Sequence, residues 1–379
     1  MILKSLKYSH QKEKSYEWTL SGKDDQPVEF GNTNLIVGKN AAGKSRTLTA
    51  IAEIANVLAL KTRIDSYKKL SDWAFELILK EGDDLYEYSI SVFGEKIIDE
   101  VLVVNGEEKV NRRENKIYSE TIKAFEELDI TDKDVVILLK DNEVAYPYLS
   151  EIHEWGSALK RFTFTNQVEK SQLLDKEELE RLHPDIDPDN VILLFHKGQE
   201  LFGESFTEAV LSDMKRLDYN LKKISLDYTS GGVGISVDEE EVQNPVLQTD
   251  MSQGMFRALA FTIQLNIALL SKVSVCLLID DLGEGLDFAR SKSLIDILIY
   301  KINNSDIQLF ITTNDRYIMN AIPIKYWSIL ERQPKKSKFY NYYNSQETFE
   351  DFKYTGLSNF DFLATDFYRK GFEDNEHDI

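Results

Sequence analysis

The spacing of hydrophobic residues changes several times along the chain. Short apolar runs near the start predict β-strands at residues 2–9, 16–20 and 33–38. From about Lys44 to Lys61 the apolar residues recur three and four positions apart, which predicts an amphipathic helix. Residues 73–118 alternate between apolar and polar and contain an Asn-Gly pair, so they predict an antiparallel meander with tight hairpins.

The second half of the chain has a different pattern. Residues 168–222 are highly charged and predict mainly helical structure. Beyond residue 250, two predicted helices alternate with two uninterrupted apolar strands, at residues 255–271, 273–279, 289–303 and 308–313. This alternation is typical of a parallel sheet that is covered on both faces. We therefore predict an α/β fold with a mixed, mainly parallel sheet, an antiparallel β-subdomain and a helical insertion.

A chain of 379 residues suits one large domain with an insertion, or two modest domains. We predict an N-terminal part of the core at 1–167 and a mainly helical insertion at 168–250. The second part of the core follows at 251–345, and a C-terminal helix with an acidic tail occupies 346–379.

Composition excludes some classes of function. The formal charge of −20 argues against a uniformly basic surface for nucleic acid, although a local basic groove stays open. The single cysteine, Cys276, cannot form an intramolecular disulfide, so we expect a cytoplasmic protein. No apolar stretch reaches about 18 residues without a charge, and the start lacks a signal-peptide pattern, so we expect no membrane partner.

One segment between a predicted strand and a predicted helix has the pattern of a phosphate-binding loop. Glycines occupy the first and sixth of its eight positions, and Lys-Ser closes it. Such a loop turns several backbone N–H groups toward phosphates, the lysine contacts the β- and γ-phosphates, and the serine hydroxyl binds Mg²⁺. A chance match in a glycine-containing turn is the alternative. The residues that we expect to contact ATP are Gly38, Asn40, Ala41, Ala42, Gly43, Lys44, Ser45 and Arg46.

Two other segments add candidate chemistry. The apolar strand at 273–279 ends in Asp280 and Asp281, of which the first is expected to hold Mg²⁺ and the second to polarise water. Ser252, Gln253 and Gly254 open the next helix upstream, where a Ser–x–Gly turn can bind an anion. Each segment alone also fits an ordinary capped turn or a serine N-cap.

The order of these motifs resembles that of ABC-type ATPases. Phosphate loop, Ser–x–Gly signature and acidic strand end are followed by Gly285-Leu286-Asp287. The resemblance implies ATP and Mg²⁺ as cofactors and an ATP-dependent homodimer. It also implies that Ser252, Gln253 and Gly254 act on the ATP of the other copy, and that Asp287 bridges the two copies.

The meander is similar to that of the stand-alone RecF-like and OLD-like branch, which is related to SMC proteins. The chain carries no heptads for a long coiled coil, and only some 65 residues follow the predicted strand at 308–313, too few for a Toprim nuclease domain. The resemblance therefore implies the ATPase part alone.

Two residues depart from the family pattern. Asp281 stands where a glutamate is usual, and Asn314 lies near the position of the family's switch histidine. We predict that Asp281, Lys44 and Asn314 are the catalytic residues, and we expect slow hydrolysis. Gln167 is a candidate for the glutamine that completes the Mg²⁺ shell.

Four functions remain open at this point. The first is a slow, dimeric ATPase switch that regulates a separate effector protein, in anti-phage defence or a toxin–antitoxin-like pair. The main alternative is a RecF-like DNA-repair ATPase that binds duplex DNA. An ATPase subunit of a transporter and an interaction protein with inactive ATP sites complete the set.

Overall fold

The computed structural model describes residues 1–12, 14–64, 72–163, 170–181, 190–271, 276–303 and 305–372. Gln167, the predicted glutamine of the Mg²⁺ shell, lies outside the described residues, as does the start of the predicted strand at 273–279. The strands are β1 (Ile2–His10), β2 (Trp18–Ser21), β3 (Val28–Glu29), β4 (Thr33–Val37), β5 (Asp72–Glu81), β6 (Asp84–Phe93), β7 (Lys96–Val104), β8 (Glu107–Asn111), β9 (Lys116–Ser119), β10 (Ala124–Glu127), β11 (Lys160–Thr163), β12 (Leu221–Thr229), β13 (Gly232–Glu239), β14 (Val246–Leu247), β15 (Cys276–Asp280), β16 (Gln308–Thr312), β17 (Trp327–Gln333) and β18 (Lys336–Asn341). The α-helices are α1 (Lys44–Leu58), α2 (Pro147–Ala158), α3 (Lys176–Glu180), α4 (Val191–Phe202), α5 (Glu204–Arg216), α6 (Gln253–Leu270), α7 (Phe288–Asn303), α8 (Arg316–Ala321), α9 (Gln346–Phe352), α10 (Asn359–Ala364) and α11 (Phe367–Lys370).

Fifteen strands form one continuous sheet, in the order β10-β9-β8-β7-β6-β5-β1-β2-β18-β17-β4-β16-β15-β11, with β3 paired to β1. The section from β17 through β4, β16 and β15 to β11 is parallel, whereas β1 and β5 to β10 pair antiparallel. The predicted mixed α/β fold is confirmed. The antiparallel meander is continuous with the parallel section through β1, β2 and β18 and does not form a separate sheet.

The central parallel strands β4, β15 and β16 are buried along almost their whole length because both faces of the sheet are covered. Successive residues of a strand point to opposite faces, and Leu35 and Val37 of β4 belong to one hydrophobic cluster while Ile36 belongs to another. The cluster around Ile36 includes α1, α2 and the meander. The opposite cluster includes α4 to α7 and the C-terminal helices.

The segment at 168–250 contains helices, as predicted, and also strands that the prediction did not include. Its described part contains α3, α4 and α5, but also the antiparallel strands β12, β13 and β14. Val233, Ile235 and Val237 of β13 are fully buried, whereas β12 is mostly exposed and polar. The hairpin lies almost wholly beyond residues 168–222, whose charged pattern predicted helices, and its β12 strand carries little apolar alternation. The Gly-Gly pair at 231–232 was the available turn signal.

The C-terminal segment also differs from the single predicted helix. Three short helices, α9, α10 and α11, bury the aromatic residues Phe349, Phe362 and Phe367 against each other. Closely spaced aromatic residues form this small core, so the three helices need no long amphipathic pattern of the kind that one helix would show.

A buried ion pair joins the meander to the segment before α2. Arg112 donates to Glu100 Oε2 through Nε at 3.1 Å and Nη2 at 2.7 Å. Tyr88 and the backbone N–H of Val136 donate to Glu100 Oε1 at 2.7 and 3.0 Å. The Glu100 side chain is 0% exposed, so its charge depends on these partners.

We expect Arg112→Ala to lower the free energy of unfolding by about 3–5 kcal/mol, because it leaves the Glu100 carboxylate buried without its counter-ion. Urea unfolding followed by circular dichroism measures the loss. The neighbouring Arg113→Ala is the matched control, since Arg113 is 69% exposed and pairs with Asp99 at the surface. It should cost less than about 1 kcal/mol. Equal losses in the two variants would contradict the prediction.

Candidate nucleotide-binding site

The phosphate loop connects β4 to α1, and its shape requires small residues. Gly43, the N-cap of α1, has φ of 108°, a conformation that residues with a side chain rarely adopt. A Cβ at Gly38 would lie 2.6 Å from the carbonyl oxygen of Leu330, so the loop starts in close contact with β17. The glycines at the first and sixth positions of the motif are thus explained by backbone geometry.

Lys44 begins α1 and is buried. Its ammonium group donates a hydrogen bond of 3.0 Å to the carbonyl oxygen of Gly38, at the other end of the loop. Burial lowers the pKa of Lys44, and the charges of Asp281 and Asp280 oppose that shift. The lysine therefore lies between the phosphate loop and the acidic end of β15.

The ends of β15 and β16 place a carboxylate oxygen of Asp280 and the hydroxyl of Thr312 beside the phosphate loop. Ser45 Oγ donates to Asp280 Oδ1 at 3.0 Å, and Thr312 Oγ1 donates to the same oxygen at 2.5 Å. Thr312 Oγ1 in turn accepts a hydrogen bond of 2.9 Å from the backbone N–H of Asp281. Parallel strands end at the same edge of a sheet, and this edge is where such folds bind ligands. Sequence reasoning gave Thr312 no role.

The residues at this edge fit a magnesium–nucleotide complex. Ser45 and Asp280 are hydrogen-bonded to each other and supply hard oxygen ligands, and Lys44 supplies a cation for phosphate. Among the described residues, no group of three or more His, Cys, Asp or Glu side chains could hold a metal ion. A site of one carboxylate and one hydroxyl suits Mg²⁺, which commonly takes further ligands from water and from substrate phosphates.

Asp281 and Asn314 face the phosphate loop. A cavity of about 310 Å³ is lined by residues 40–46, Asp281 and Asn314. Asn314 Nδ2 donates to Asp281 Oδ1 at 3.3 Å. Burial and the charges of Asp280 and Glu284 raise the pKa of Asp281, against the opposing charge of Lys44.

The backbone of Asp281 is in the left-handed region, with φ of 54°. Aspartate adopts this region more readily than most residues with a side chain. An aspartate at this position is therefore compatible with the sharp turn after β15.

The signature residues lie elsewhere on the surface of the same copy. Ser252 is the N-cap of α6, and its hydroxyl accepts a hydrogen bond of 3.1 Å from the N–H of Met255. Ser252 and Gln253 are exposed, and neither they nor Gly254 line the described phosphate-loop cavity. Gly254 instead packs close to the carbonyl oxygen of Gly285.

Asp287 and its neighbours lie between the predicted signature residues and Asp281. A second cavity, of about 420 Å³, is lined by residues 281–286 and 314–317. Asp287 is exposed and accepts hydrogen bonds from the backbone N–H of Arg290 at 3.0 Å and from its guanidinium at 2.5 Å. These bonds lower the pKa of Asp287. The 281–287 loop therefore lies between Gly254 and the phosphate-loop cavity.

Several contacts that support the phosphate loop come from distant parts of the sequence. Arg46 stacks over the ring of Trp18 at 4.0 Å from its centroid. The indole N–H of Trp18 donates to Ser337 Oγ, which donates to the carbonyl oxygen of Ala42. Lys39 pairs with Asp366 of the C-terminal segment, with Nζ and Oδ1 3.1 Å apart. No local sequence signal points to these contacts.

Arg161 is a further residue that sequence reasoning missed. It lies on β11, which pairs in parallel with β15, and its Nη2 is 3.3 Å from Asp280 Oδ2. Its Nη1 donates to Thr49 Oγ1, on the second turn of α1. Arg161 reaches the site because β11 pairs with β15.

The phosphate loop and the Ser45–Asp280 pair form the phosphate-binding edge of a P-loop nucleotide-binding fold. The fold agrees with the SMC head bound to the C-terminal winged-helix domain of ScpA, with a TM-score of 0.52, 14% identity, and coverage of 89% of this chain and 97% of that one. The SMC head domain from Thermotoga maritima gives 0.45 and 11%, covering 89% and 98% of the two chains. A Pyrococcus furiosus Smc head with an extended coiled coil, bound to the C-terminal domain of ScpA, gives 0.46 and 15%, covering 93% and 99%.

Residues 33–320 match the family described as "AAA domain, putative AbiEii toxin, Type IV TA system". The match covers well over half of the chain, and the protein belongs to this family. A search of the curated proteins finds no match. In the part of the chain that the structure describes, no helix is both long enough and apolar enough to span a bilayer.

Proposed function

We propose that this ATPase binds ATP with Mg²⁺ and works as a homodimeric switch that regulates a separate effector protein. One observation carries the proposal. The phosphate loop and the acidic strand end face one cavity, whereas Ser252 and Gly254 lie on another surface of the same copy. A Ser–x–Gly turn at a helix N-terminus has the geometry of an anion site. The γ-phosphate that it would contact belongs to the ATP of a second copy.

Each residue has a distinct role in this proposal. Lys44 and the backbone N–H groups of the phosphate loop bind the phosphates, and Ser45 and Asp280 bind Mg²⁺. Bound Mg²⁺ would neutralise charge on the phosphate oxygens. Asp281 orients the attacking water and accepts its proton at the carboxylate. Asn314 fixes Asp281 through its amide hydrogen bond.

Hydrolysis is slow in this arrangement. Asn314 cannot take up a proton, and the Asp281 side chain is one methylene shorter than the glutamate that is usual at this position, so its carboxylate reaches less far toward the water. We expect turnover below about 10 s⁻¹, the usual enzyme median. A slow ATPase keeps the closed dimer populated for long periods, as a switch requires.

The biological role follows from the family and from charge. The family description names a toxin and a type IV toxin–antitoxin system, which supports a role beside a partner protein in anti-phage defence. The formal charge of −20 suits a protein partner better than a nucleic acid. The insertion, with α3 to α5 and the β12–β13 hairpin, offers a docking surface for that partner.

Mixing two inactive variants tests the shared site. Lys44→Ala removes the phosphate lysine, and Ser252→Asp keeps a good N-cap but places a negative charge against the γ-phosphate. Each variant alone should be inactive. An equimolar mixture should recover about one quarter of wild-type turnover, because half of random dimers are mixed and each has one complete site. A mixture that stays at the sum of its inactive components would show that each site is built within one copy.

The pH dependence of kcat/KM tests the role of Asp281. Asp281 must be deprotonated to accept a proton, and burial with nearby acids raises its pKa above the ordinary value of 3.8. Activity should therefore fall as the pH drops through this raised pKa. Glu284→Gln removes one of the like charges and should move the acidic limb to lower pH. An acidic limb that does not move in this variant would contradict the assignment.

The steady-state rate with duplex DNA separates the proposed switch from a RecF-like DNA-repair ATPase. We expect a slow rate, lost in Lys44→Ala, that DNA does not change at about 50 or 200 mM salt. Stimulation by DNA that collapses at the higher salt concentration would indicate phosphate contacts and favour the repair ATPase.

A further inference from the structure

Arg161 pairs with the second carboxylate oxygen of Asp280, the proposed metal ligand. Asp280 Oδ1 already receives the hydroxyl groups of Ser45 and Thr312. The guanidinium of Arg161 lies 3.3 Å from Oδ2 through Nη2. Both oxygens of Asp280 therefore have a partner from the protein itself.

The same arginine links Asp280 to the phosphate-loop helix through a closed ring of hydrogen bonds. Arg161 Nη1 donates to Thr49 Oγ1 at 3.0 Å, and Thr49 Oγ1 donates to the carbonyl oxygen of Ser45 at 2.9 Å. Ser45 Oγ then donates to Asp280, which completes the ring. The ring fixes the two proposed metal ligands relative to one another.

The charge and partial burial of Arg161 also affect how strongly a divalent cation binds at Asp280. The Asp280 side chain is 5% exposed and that of Arg161 is 29% exposed, so the pair is largely shielded from water. A buried carboxylate without a counter-ion is costly, and Arg161 supplies that counter-ion. A divalent cation at the same carboxylate meets a like charge, and in this partly buried setting the repulsion is stronger than in bulk water.

We propose that Arg161 is a positioning residue that holds the Asp280 carboxylate and lowers the affinity of the site for a divalent cation. The inference rests on the proposed function, since it assumes a metal–nucleotide complex at the phosphate loop. Because the cation is repelled by Arg161, it binds well only when the negative phosphates of a nucleotide outweigh that charge. The arginine thereby couples metal binding to nucleotide binding.

Binding of Mn²⁺ to nucleotide-free protein, and to protein loaded with one equivalent of AMP-PNP and freed of excess nucleotide, tests this effect without turnover. Free Mn²⁺ is measured by electron paramagnetic resonance, and the thermal unfolding midpoint of each variant is recorded in parallel. Arg161→Gln removes the charge and should tighten Mn²⁺ binding about tenfold, within the usual range of coupling between sites. The lost hydrogen bond to Asp280 acts in the opposite direction, but a single hydrogen bond contributes less than a close charge pair at low dielectric.

Two further variants distinguish charge from a merely structural role. Arg161→Lys retains the charge and should bind Mn²⁺ within about twofold of wild type. Arg369→Gln changes the net charge equally, but Arg369 pairs with Glu331, so Mn²⁺ affinity should not change. A purely structural arginine would lower the unfolding midpoint in Arg161→Gln without tightening Mn²⁺ binding.

The outcomes separate this inference from the proposed function. Unchanged or weaker Mn²⁺ binding in Arg161→Gln, with normal binding in wild type, overturns the role of Arg161 alone. If Arg161→Gln does not fold, a roughly tenfold change in folded Arg161→Lys overturns it equally. Wild-type protein that binds neither Mn²⁺ nor AMP-PNP in a Lys44-dependent manner overturns the proposed function as well.

Discussion

The nucleotide-binding edge depends on the buried carboxylate of Asp280. Its two oxygens receive donors from α1, from β16 and from β11, so one side chain joins three elements that are far apart in the sequence. The parallel register of β11, β15 and β16 brings the ends of these strands to one edge. A buried carboxylate requires such partners, since an unpaired charge there would cost several kcal/mol. The need to pair this buried charge thus brings α1, β16 and β11 together at one edge.

The elements with long apolar patterns could be predicted from the sequence. The helices at Lys44–Leu58, Gln253–Leu270 and Phe288–Asn303 and the strand at Gln308–Thr312 all lie close to their predicted positions. These elements are buried, so burial imposes their period on the residues. The β12–β13 hairpin was missed because one of its strands faces solvent and carries charged residues.

The residues of the site also fall into those that the sequence predicted and those that it did not. Residues within a short motif, such as Lys44 and Ser45, were predicted because a phosphate loop needs its residues at fixed spacing. Arg161, Thr312 and the Trp18–Arg46 stack depend on which strands become neighbours in the sheet. Strand order is a property of the whole fold, and no local pattern around Arg161 encodes it. Sequence motifs therefore predicted the residues of the phosphate loop, whereas the sheet topology was needed to find the distant residues that contact this site.

The position of the predicted signature residues outside the phosphate-loop cavity gives the strongest physical argument for the proposed switch. A site that needed no partner would keep its phosphate loop and its signature around one cavity. Here α6 presents Ser252 to solvent, while Gly254 touches the loop that carries Gly285 and Asp287. That loop begins at Asp281, whose carboxylate faces the phosphate loop and bonds Asn314. A second copy that closes on ATP would press on this loop from the signature side. In the proposed dimer, contact between the copies and the position of the Asp281 carboxylate would be linked through one short segment of backbone.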